Sequence, residues 1–328
     1  MAESTLGYTW TTLKQRIAFD RGWGMTLGSL TAEQVTQVEA IVQEGTSQFV
    51  VPPVLPGQAN AHEWSFLRII QEIQTNEKYD TGTVTTNGTT TITLATGTWP
   101  SWAASGKIRV SDGPPLDVAT RSSDSVVLLA SAYTGTSASG LTYELIQDDY
   151  PLADDFQRLD GPITYLDGES WCPITVVPES AIRIKRQVGT RTGPPMLAAV
   201  RIRQLPGASG LRHELMLYPE PDDAYNLSFR YFSIPNLMSD SLTYPPGGAL
   251  HSQTLLASCL AIAASMFREE YAAERQLEFM RRLTASISLD ARSHRPGVIG
   301  YNRDTSDYQY EDGQAATPVT YHGEYGSS

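Results

Sequence analysis

The sequence predicts an α+β protein with a helical core, a long C-terminal helix, an antiparallel β element, an inserted small β-barrel or sandwich and an extended C-terminal tail. Apolar residues recur at helical spacing near both ends of the chain. Between them lies a stretch rich in threonine, serine and glycine, and after residue 295 the periodicity stops. These changes divide the chain into five segments. Residues 1–80 form a helical part of the host domain, residues 81–147 an inserted β-domain, and residues 148–249 a β-rich part of the host domain. The long helix covers residues 250–294, and the tail covers residues 295–328.

Length and charge restrict the functional classes. A chain of 328 residues with 41% hydrophobic residues can bury a core without disulfides or metals. Its net charge of −12 argues against wrapping DNA, which requires clustered lysine and arginine. Cys172 and Cys259 cannot form a disulfide framework, so both are expected to be reduced and buried. No targeting signal is recognised, and the longest near-apolar run, residues 255–264, is too short to cross a bilayer, so no membrane association is expected.

The N-terminal segment is predicted to hold three helices. Trp10, Leu13 and Ile17 fall at helical spacing. Thr31 followed by Gln34 resembles a capping box, and an apolar stripe follows it. We expect that second helix to end near Gly45, before a group of proline breakers. A third helix is expected over residues 61–74.

The segment 81–147 is predicted to be an ordered β-domain. Threonine, serine and glycine make up 30 of its 67 residues, and only seven are charged. Asn87-Gly88 between two threonine-rich arms is a strong hairpin signal. Such composition also suits a disordered segment, but the regular alternation favours order. About six short strands are expected, with apolar positions at Ile92/Leu94, Ile108/Val110, Val126/Leu128 and Tyr143/Leu145.

The segment 148–249 is predicted to be mostly strand. Tyr225, Leu227, Phe229 and Tyr231 alternate with polar residues, which indicates a strand with one buried face. Residues 213–218 are expected to pair with it through a turn at 219–223. Another strand is expected at Val200 and Ile202, and a short helix over residues 178–187.

The segment 250–294 is predicted to be one long helix. Apolar residues keep a spacing of three or four from residue 250 to residue 289, so an unbroken helix would be roughly 60 Å long at ~1.5 Å per residue. Acidic and basic residues are nearly balanced on it, which suits a solvated or subunit-facing surface. The tail that follows contains five tyrosines among glycine, asparagine and aspartate, and is expected to be extended.

No motif in the sequence supports catalysis, so the protein is expected not to be an enzyme and to need no cofactor or metal. The five histidines are scattered, with no H-E-x-x-H pair, and neither a nucleophile elbow nor a phosphate-binding loop is present. Four aspartates, Asp148, Asp149, Asp154 and Asp155, could bind Ca²⁺ or form an acid–base pair, but capping and turn roles are favoured. Trp99 and Trp102 could stack on sugars, although a core or interface role is favoured.

The order of these segments resembles that of the head-to-tail adaptor (connector) proteins of tailed bacteriophages. An N-terminal helical pair leads into His62-Glu-Trp-Ser-Phe-Leu67, and a β-insert returns through Asp149-Tyr-Pro-Leu-Ala-Asp-Asp-Phe156. A strand ending in Leu217-Tyr-Pro-Glu-Pro221, the aromatic strand 225–232 and the long helix follow. The resemblance covers most of residues 7–292. It departs from the family pattern where Ala153 replaces a proline, and the tail cannot be matched residue by residue.

The resemblance implies a non-enzymatic structural protein at the virion neck. It implies a ring, generally of twelve copies, between the portal protein and a downstream tail or stopper protein, with DNA passing through without specific binding. The portal-binding tail would use Arg295, Tyr301, Arg303, Tyr308, Tyr310, Tyr321 and Tyr325. The ring interface on the long helix would use Arg268, Tyr271, Arg275, Glu278 and Arg282.

The residues are physically compatible with this arrangement. Aromatic anchors in an acidic tail can order on a partner, and a helix with mixed charges suits repeated packing of identical neighbours. A negative charge repeated around a ring would repel DNA phosphates.

Two other functions stay open from the sequence. The first is another assembly role, as a stopper, tail-terminator or tail-hub component, against which the long C-terminal helix argues. The second is a receptor- or glycan-binding virion protein that would use the β-insert with Trp99 and Trp102.

Overall fold

The computed structural model describes residues 4–166, 171–189, 191–204 and 211–293 and confirms a mixed α+β fold. Five α-helices lie within these residues: α1 Trp10–Asp20, α2 Ala32–Val50, α3 Glu179–Val188, α4 Gly248–Met266 and α5 Ala272–Ser293. The strands there are β1 Arg68–Gln74, β2 Val84–Thr86, β3 Thr91–Leu94, β4 Lys107–Val110, β5 Leu116–Arg121, β6 Val126–Leu129, β7 Ala138–Leu141, β8 Tyr143–Ile146, β9 Asp149–Pro151, β10 Phe156–Tyr165, β11 Thr175–Val176, β12 Leu197–Arg203, β13 Arg212–Tyr218 and β14 Asn226–Ser233.

Helices α1, α2, α4 and α5 form one helical core. The predicted capping box is confirmed, because the Thr31 hydroxyl accepts from the Gln34 amide and the Gln34 side chain accepts from the Thr31 amide. The predicted end of α2 at Gly45 was wrong, since the helix continues to Val50. Gly45 is buried there and allows close packing against Cys259 of α4. Gly45 thus marks a contact between two helices and not the end of a helix.

The third predicted helix, over residues 61–74, was also wrong. A single 3₁₀ turn, Ser65–Leu67, leads into strand β1. Trp64 is fully buried in the helical core, and its indole N–H donates to the Phe49 carbonyl at 2.9 Å. From Ile69 onward Ile-x-Gln-x-Ile alternation suits a strand, because residues two apart share one face of a sheet.

The segment 84–146 folds into a nearly closed, seven-stranded antiparallel sheet with the order β7-β2-β3-β6-β5-β4-β8. The Asn87 carboxamide oxygen accepts from the amides of Thr89 and Thr91, which holds the predicted hairpin turn. Aliphatic side chains and Trp99 fill the interior. On β6 the predicted positions were one residue out of phase, because Val127 and Leu129 point into the core instead of Val126 and Leu128.

Two further sheets build the rest of the host domain. One has the order β1-β14-β10 and the other β11-β12-β13-β9. The alternation on β14 is confirmed, with Leu227, Phe229 and Tyr231 buried. Its predicted partner was wrong, because β13 pairs with β12 and β9 while β14 pairs with β1 and β10. The turn at 219–223 therefore connects two sheets and does not close a hairpin.

The C-terminal region contains a long helix of 22 residues, α5, but the predicted continuous helix from residue 250 is two helices. The chain turns between them at residues 267–271, where Arg268 has φ of 54°. That left-handed conformation is uncommon for a residue with a Cβ and cannot propagate a right-handed helix. Helix α4 thereby lies between α2 and α5, which suits its largely apolar sequence.

Candidate functional site

Helices α4 and α5 form an antiparallel hairpin, and small residues hold the two helices to each other and α4 to α2. The hydroxyls of Thr254 and Ser286 lie 2.5 Å apart across the two helices. One turn further along α4, Ser258 donates to the Gly45 carbonyl at 2.8 Å. A Cβ on Gly45 would lie only 2.7 Å from the Cα of Cys259, so the α2 and α4 backbones are in direct contact. The contact of α4 with α2 is therefore closed, whereas the Thr254–Ser286 contact lies at the base of an open surface on the outer side of the hairpin.

That outer side carries a shallow open groove of about 240 Å³ between α4 and α5. We call it the hairpin groove and define it by Leu250, Gln253, Arg282 and Leu289. The Leu250 side chain is 75% exposed. A contiguous surface that mixes exposed leucines with charged side chains is typical of a protein–protein contact.

The predicted ring-interface residues fall into two groups on this hairpin. Arg275, Glu278 and Arg282 lie together along α5 and line a smaller depression of about 100 Å³ that adjoins the hairpin groove. Glu278 and Arg282 form an ion pair at 2.6 Å. Arg268 and Tyr271 lie in the turn between the helices, and both are exposed. The structure thus brings three of the five residues to one surface and places the other two at its end.

The turn end of the hairpin is fixed to α1 by a compact ion network. The Arg21 guanidinium contacts both Glu269, in the turn, and Asp20. Asp20 also accepts from Arg275 at 2.8 Å. Burial opposes the charged form of Arg21, but its hydrogen bonds with the two carboxylates raise the pKa of Arg21 above its usual value. The hairpin is therefore held at a defined angle to α1.

A second charged site joins the barrel to the host domain. Asp149, on β9, accepts from Lys107 of the barrel at 2.5 Å, from Arg186 of α3 at 2.8 Å and from Arg201 of β12 at 2.7 Å. Lys107 and Arg186 also contact Asp148. We call these five residues the junction cluster. Burial would raise the pKa of Asp149, but the three cations lower it to about 2.

The junction cluster corrects the sequence interpretation of the four aspartates. Asp148 and Asp149 are ion-pair partners of three separate elements and not turn or capping residues. Asp155 accepts from the hydroxyls of Tyr231 and Ser233 and so ties the start of β10 to β14. Sequence reasoning missed the three cations, since nothing in their local patterns relates residues 107, 186 and 201.

An adjoining cleft of about 220 Å³ lies between the barrel and α3. Glu220 lines it together with Arg109 and Arg191. Burial, with help from the Asp148 charge, raises the pKa of Glu220 to about 7. Among the described residues that line this cleft there is no serine, cysteine or histidine, and Glu220 is the side chain whose raised pKa would let it exchange a proton near neutral pH.

The remaining chemical candidates lie mainly in cores. Trp99 is 1% exposed and contacts Tyr143 inside the barrel, so the sugar-stacking interpretation of Trp99 was wrong. Trp102 is half-buried against the same core. Burial raises the pKa of the Cys259 thiol to about 12, which leaves it unreactive at neutral pH. Cys172 is exposed, so the expectation that both thiols are buried was wrong for that residue. No group of three or more histidine, cysteine, aspartate or glutamate residues within the described ranges could hold a metal ion.

The seven predicted portal-binding residues of the tail, from Arg295 to Tyr325, lie outside the described residues. One described helix, α4, is long and apolar enough to cross a membrane by length and composition alone, but more than half of it is buried in the helical core. A scan against protein-family models found no match, and a search of the curated proteins found none either.

Proposed function

We propose that this protein is a non-enzymatic structural component of a bacteriophage virion, a head-to-tail adaptor that forms a ring at the neck. In this proposal the ring, of twelve copies, joins the portal protein to a downstream tail or stopper protein, and the packaged genome passes through its channel. The protein is made in the host cytoplasm and then becomes part of the virion.

The hairpin groove is the observation that carries the proposal. It presents exposed leucines and charged residues of both signs on a rigid pair of helices. A surface of this kind can pack against a different surface of an identical neighbour, and rotation repeats that contact until the ring closes. The order of the helical pair, β-insert, aromatic strand and terminal helix, which resembles the adaptor family, supports the same function.

Charge and the tail supply the remaining parts of the proposal. A net charge of −12 per copy would give the channel of a ring a field that repels DNA phosphates, so that the genome slides without binding. The tyrosines of the tail would act as anchors in clefts of the portal, where aromatic side chains contribute most to binding.

Electron microscopy of the full chain mixed with portal rings of the same phage tests the proposal. We expect a second ring stacked on the portal, and we expect a chain that ends at Pro296 to lose this binding. Leu250→Glu places a charge in the hairpin groove at the first turn of α4, where a carboxylate suits the helix dipole. This variant should abolish ring formation.

Ile184→Glu is the matched control, because Ile184 is also an apolar, exposed helix residue, on α3 and away from the hairpin groove. It should form rings like the unaltered chain. Electron microscopy of virions in which this protein carries a label is an independent test. Label at the tail tip or on the capsid surface, with none at the neck, would refute the adaptor proposal.

A further inference from the structure

Strand β1 is an exposed edge of its sheet. It pairs with β14 on one side, and no described residue pairs with its other side. Ile70 is 68% exposed on this strand, and Glu72 beside it has no ion-pair or hydrogen-bond partner within the described part of the chain. An accessible edge strand that carries an exposed isoleucine is a template for pairing with another chain.

The two edges of this sheet differ. At the β10 edge, the chain bulges between Leu159 and Ile163 around Pro162, and the Ile174 amide donates to the Ile163 carbonyl at 2.8 Å. A bulge, a proline and a bridging residue are the devices that protect an edge from pairing. Strand β1, Arg-Ile-Ile-Gln-Glu-Ile-Gln, contains neither a proline nor a bulge.

The hydrogen-bond alternation identifies which amides of β1 face outward. The Thr75 amide donates to the Tyr225 carbonyl at 2.8 Å, and the register of β1 with β14 continues from that pair. Hydrogen-bonded and non-hydrogen-bonded pairs alternate in an antiparallel ladder. The backbone groups of Ile69, Gln71 and Ile73 therefore form hydrogen bonds with β14. The amides and carbonyls of Ile70 and Glu72 therefore face the open edge, whereas the outward Arg68 amide is already bonded to the Ser65 carbonyl.

The sequence of β1 is complementary to itself in this register. If two copies of β1 lie antiparallel with Ile70 opposite Ile70 of the second copy, Arg68 lies opposite Glu72 of that copy at both ends of the pair. The facing residues are the ones whose backbone groups point outward, and their side chains share one face of the sheet. The outward-facing backbone groups, the contact between the two Ile70 side chains and the opposite charges of Arg68 and Glu72 thus favour the same alignment.

We propose that β1 is a homodimerisation strand, through which two free copies of this protein join their three-stranded sheets into one six-stranded sheet. The Ile70 and Glu72 amides of both copies donate across the twofold axis, and the two Arg68–Glu72 pairs fix the register. The contact is isologous and does not involve the hairpin groove, so it neither rests on the proposed function nor depends on a portal.

Sedimentation of the full chain between 10 and 500 µM, in the absence of portal, tests the proposal. We expect a concentration-dependent monomer–dimer equilibrium. Glu72→Arg should weaken it by about tenfold or more, because two attractive pairs become repulsive. Ile70→Lys should remove it, since two lysines would face each other at the twofold axis. Ile202→Lys, at an exposed isoleucine of β12, is the matched control and should dimerise like the unaltered chain.

Mixing two charge variants gives the sharpest outcome. Glu72→Arg alone places arginine opposite arginine, and Arg68→Glu alone places glutamate opposite glutamate, so neither should self-associate. Their mixture restores both attractive pairs and should form a heterodimer. A chain that stays monomeric up to 500 µM, or a dimer that Ile70→Lys and Glu72→Arg leave intact, would overturn the proposal. Circular dichroism of each variant identifies any loss that is due to unfolding.

Discussion

Replacing Asp149 with asparagine should destabilise the contact between the barrel and the host domain. The substitution keeps the shape of the side chain but removes the charge that Lys107, Arg186 and Arg201 share. The pKa of Asp149 falls from 3.8 to about 2 in the folded chain. At about 1.4 kcal/mol per pKa unit this corresponds to about 2 kcal/mol of stability. The three cations keep other partners, Asp148 for Lys107 and Arg186 and Glu214 for Arg201, so the loss should stay near this value.

Urea unfolding at pH 7 measures this loss. For an unfolding slope of about 3 kcal/mol per molar, a loss of about 2 kcal/mol moves the midpoint by about 0.7 M. Asp154→Asn is the matched control, because Asp154 is exposed and has no hydrogen-bond or ion-pair partner among the described residues. That control should unfold like the unaltered chain. Equal midpoints for Asp149→Asn and Asp154→Asn would refute the role assigned to the junction cluster.

The pH dependence of the same comparison gives a second check. Because the pKa of Asp149 is lower in the folded state than in the unfolded state, its contribution is complete above the unfolded pKa and is lost as the pH falls toward 2. The difference in stability between the unaltered chain and Asp149→Asn should therefore be the same at pH 7 and pH 5. By pH 3 it should fall to about half. A difference that grows on acidification would contradict this sign.

Three further predictions concern the helical core. Gly45→Ala should lower the free energy of unfolding by about 1–3 kcal/mol, because the added methyl group would overlap the Cys259 backbone. Gly28→Ala is the control, since nothing lies near the position of its Cβ, and urea unfolding compares the two variants. Thr31→Ala should cost about 1 kcal/mol in the same assay, since it removes the cap of α2. Burial lowers the pKa of His251, so stability should fall as the pH drops below 6.5, although Asp290 opposes that shift and His62 adds to it. His251→Leu should reduce the loss of unfolding free energy between pH 7 and pH 5, and an unchanged loss would contradict this assignment.

Local signals in the sequence were sufficient for the elements that are stabilised locally. The Thr31–Gln34 capping box and the Asn87 turn depend on residues only a few positions apart, so a single sequence contains all the information they need. The alternation on β14 likewise reports one buried face. This alternation does not identify the partner strand, because β13 and β14 are adjacent in sequence but lie in different sheets.

The errors came from positions where a tertiary contact decides the local structure. A glycine such as Gly45 is typical of a helix end. Here it lies inside α2, because Cys259 of α4 approaches so closely that a side chain would not fit. Apolar spacing continues through residues 267–271 because both helices of the hairpin bury a stripe. The turn itself is held by backbone hydrogen bonds and by distant partners such as Arg21, which pairs with Glu269. The three cations around Asp149 come from elements far apart in the chain and share no pattern.

The two proposed contacts have different symmetries, and this constrains how they can be used. In these proposals the hairpin groove makes a heterologous contact that closes into a ring, while β1 makes a twofold contact that ends with two copies. If every copy in a ring also kept its β1 pair, two rings would be locked together with their portal-binding faces related by twofold axes. A single neck has one portal on one side, so such a double ring does not fit there. The β1 contact must therefore dissociate as rings form, which requires it to be weaker than the hairpin contact summed around the ring. A short strand pair with few hydrogen bonds and two exposed charge pairs meets that requirement, since such pairs contribute little in water.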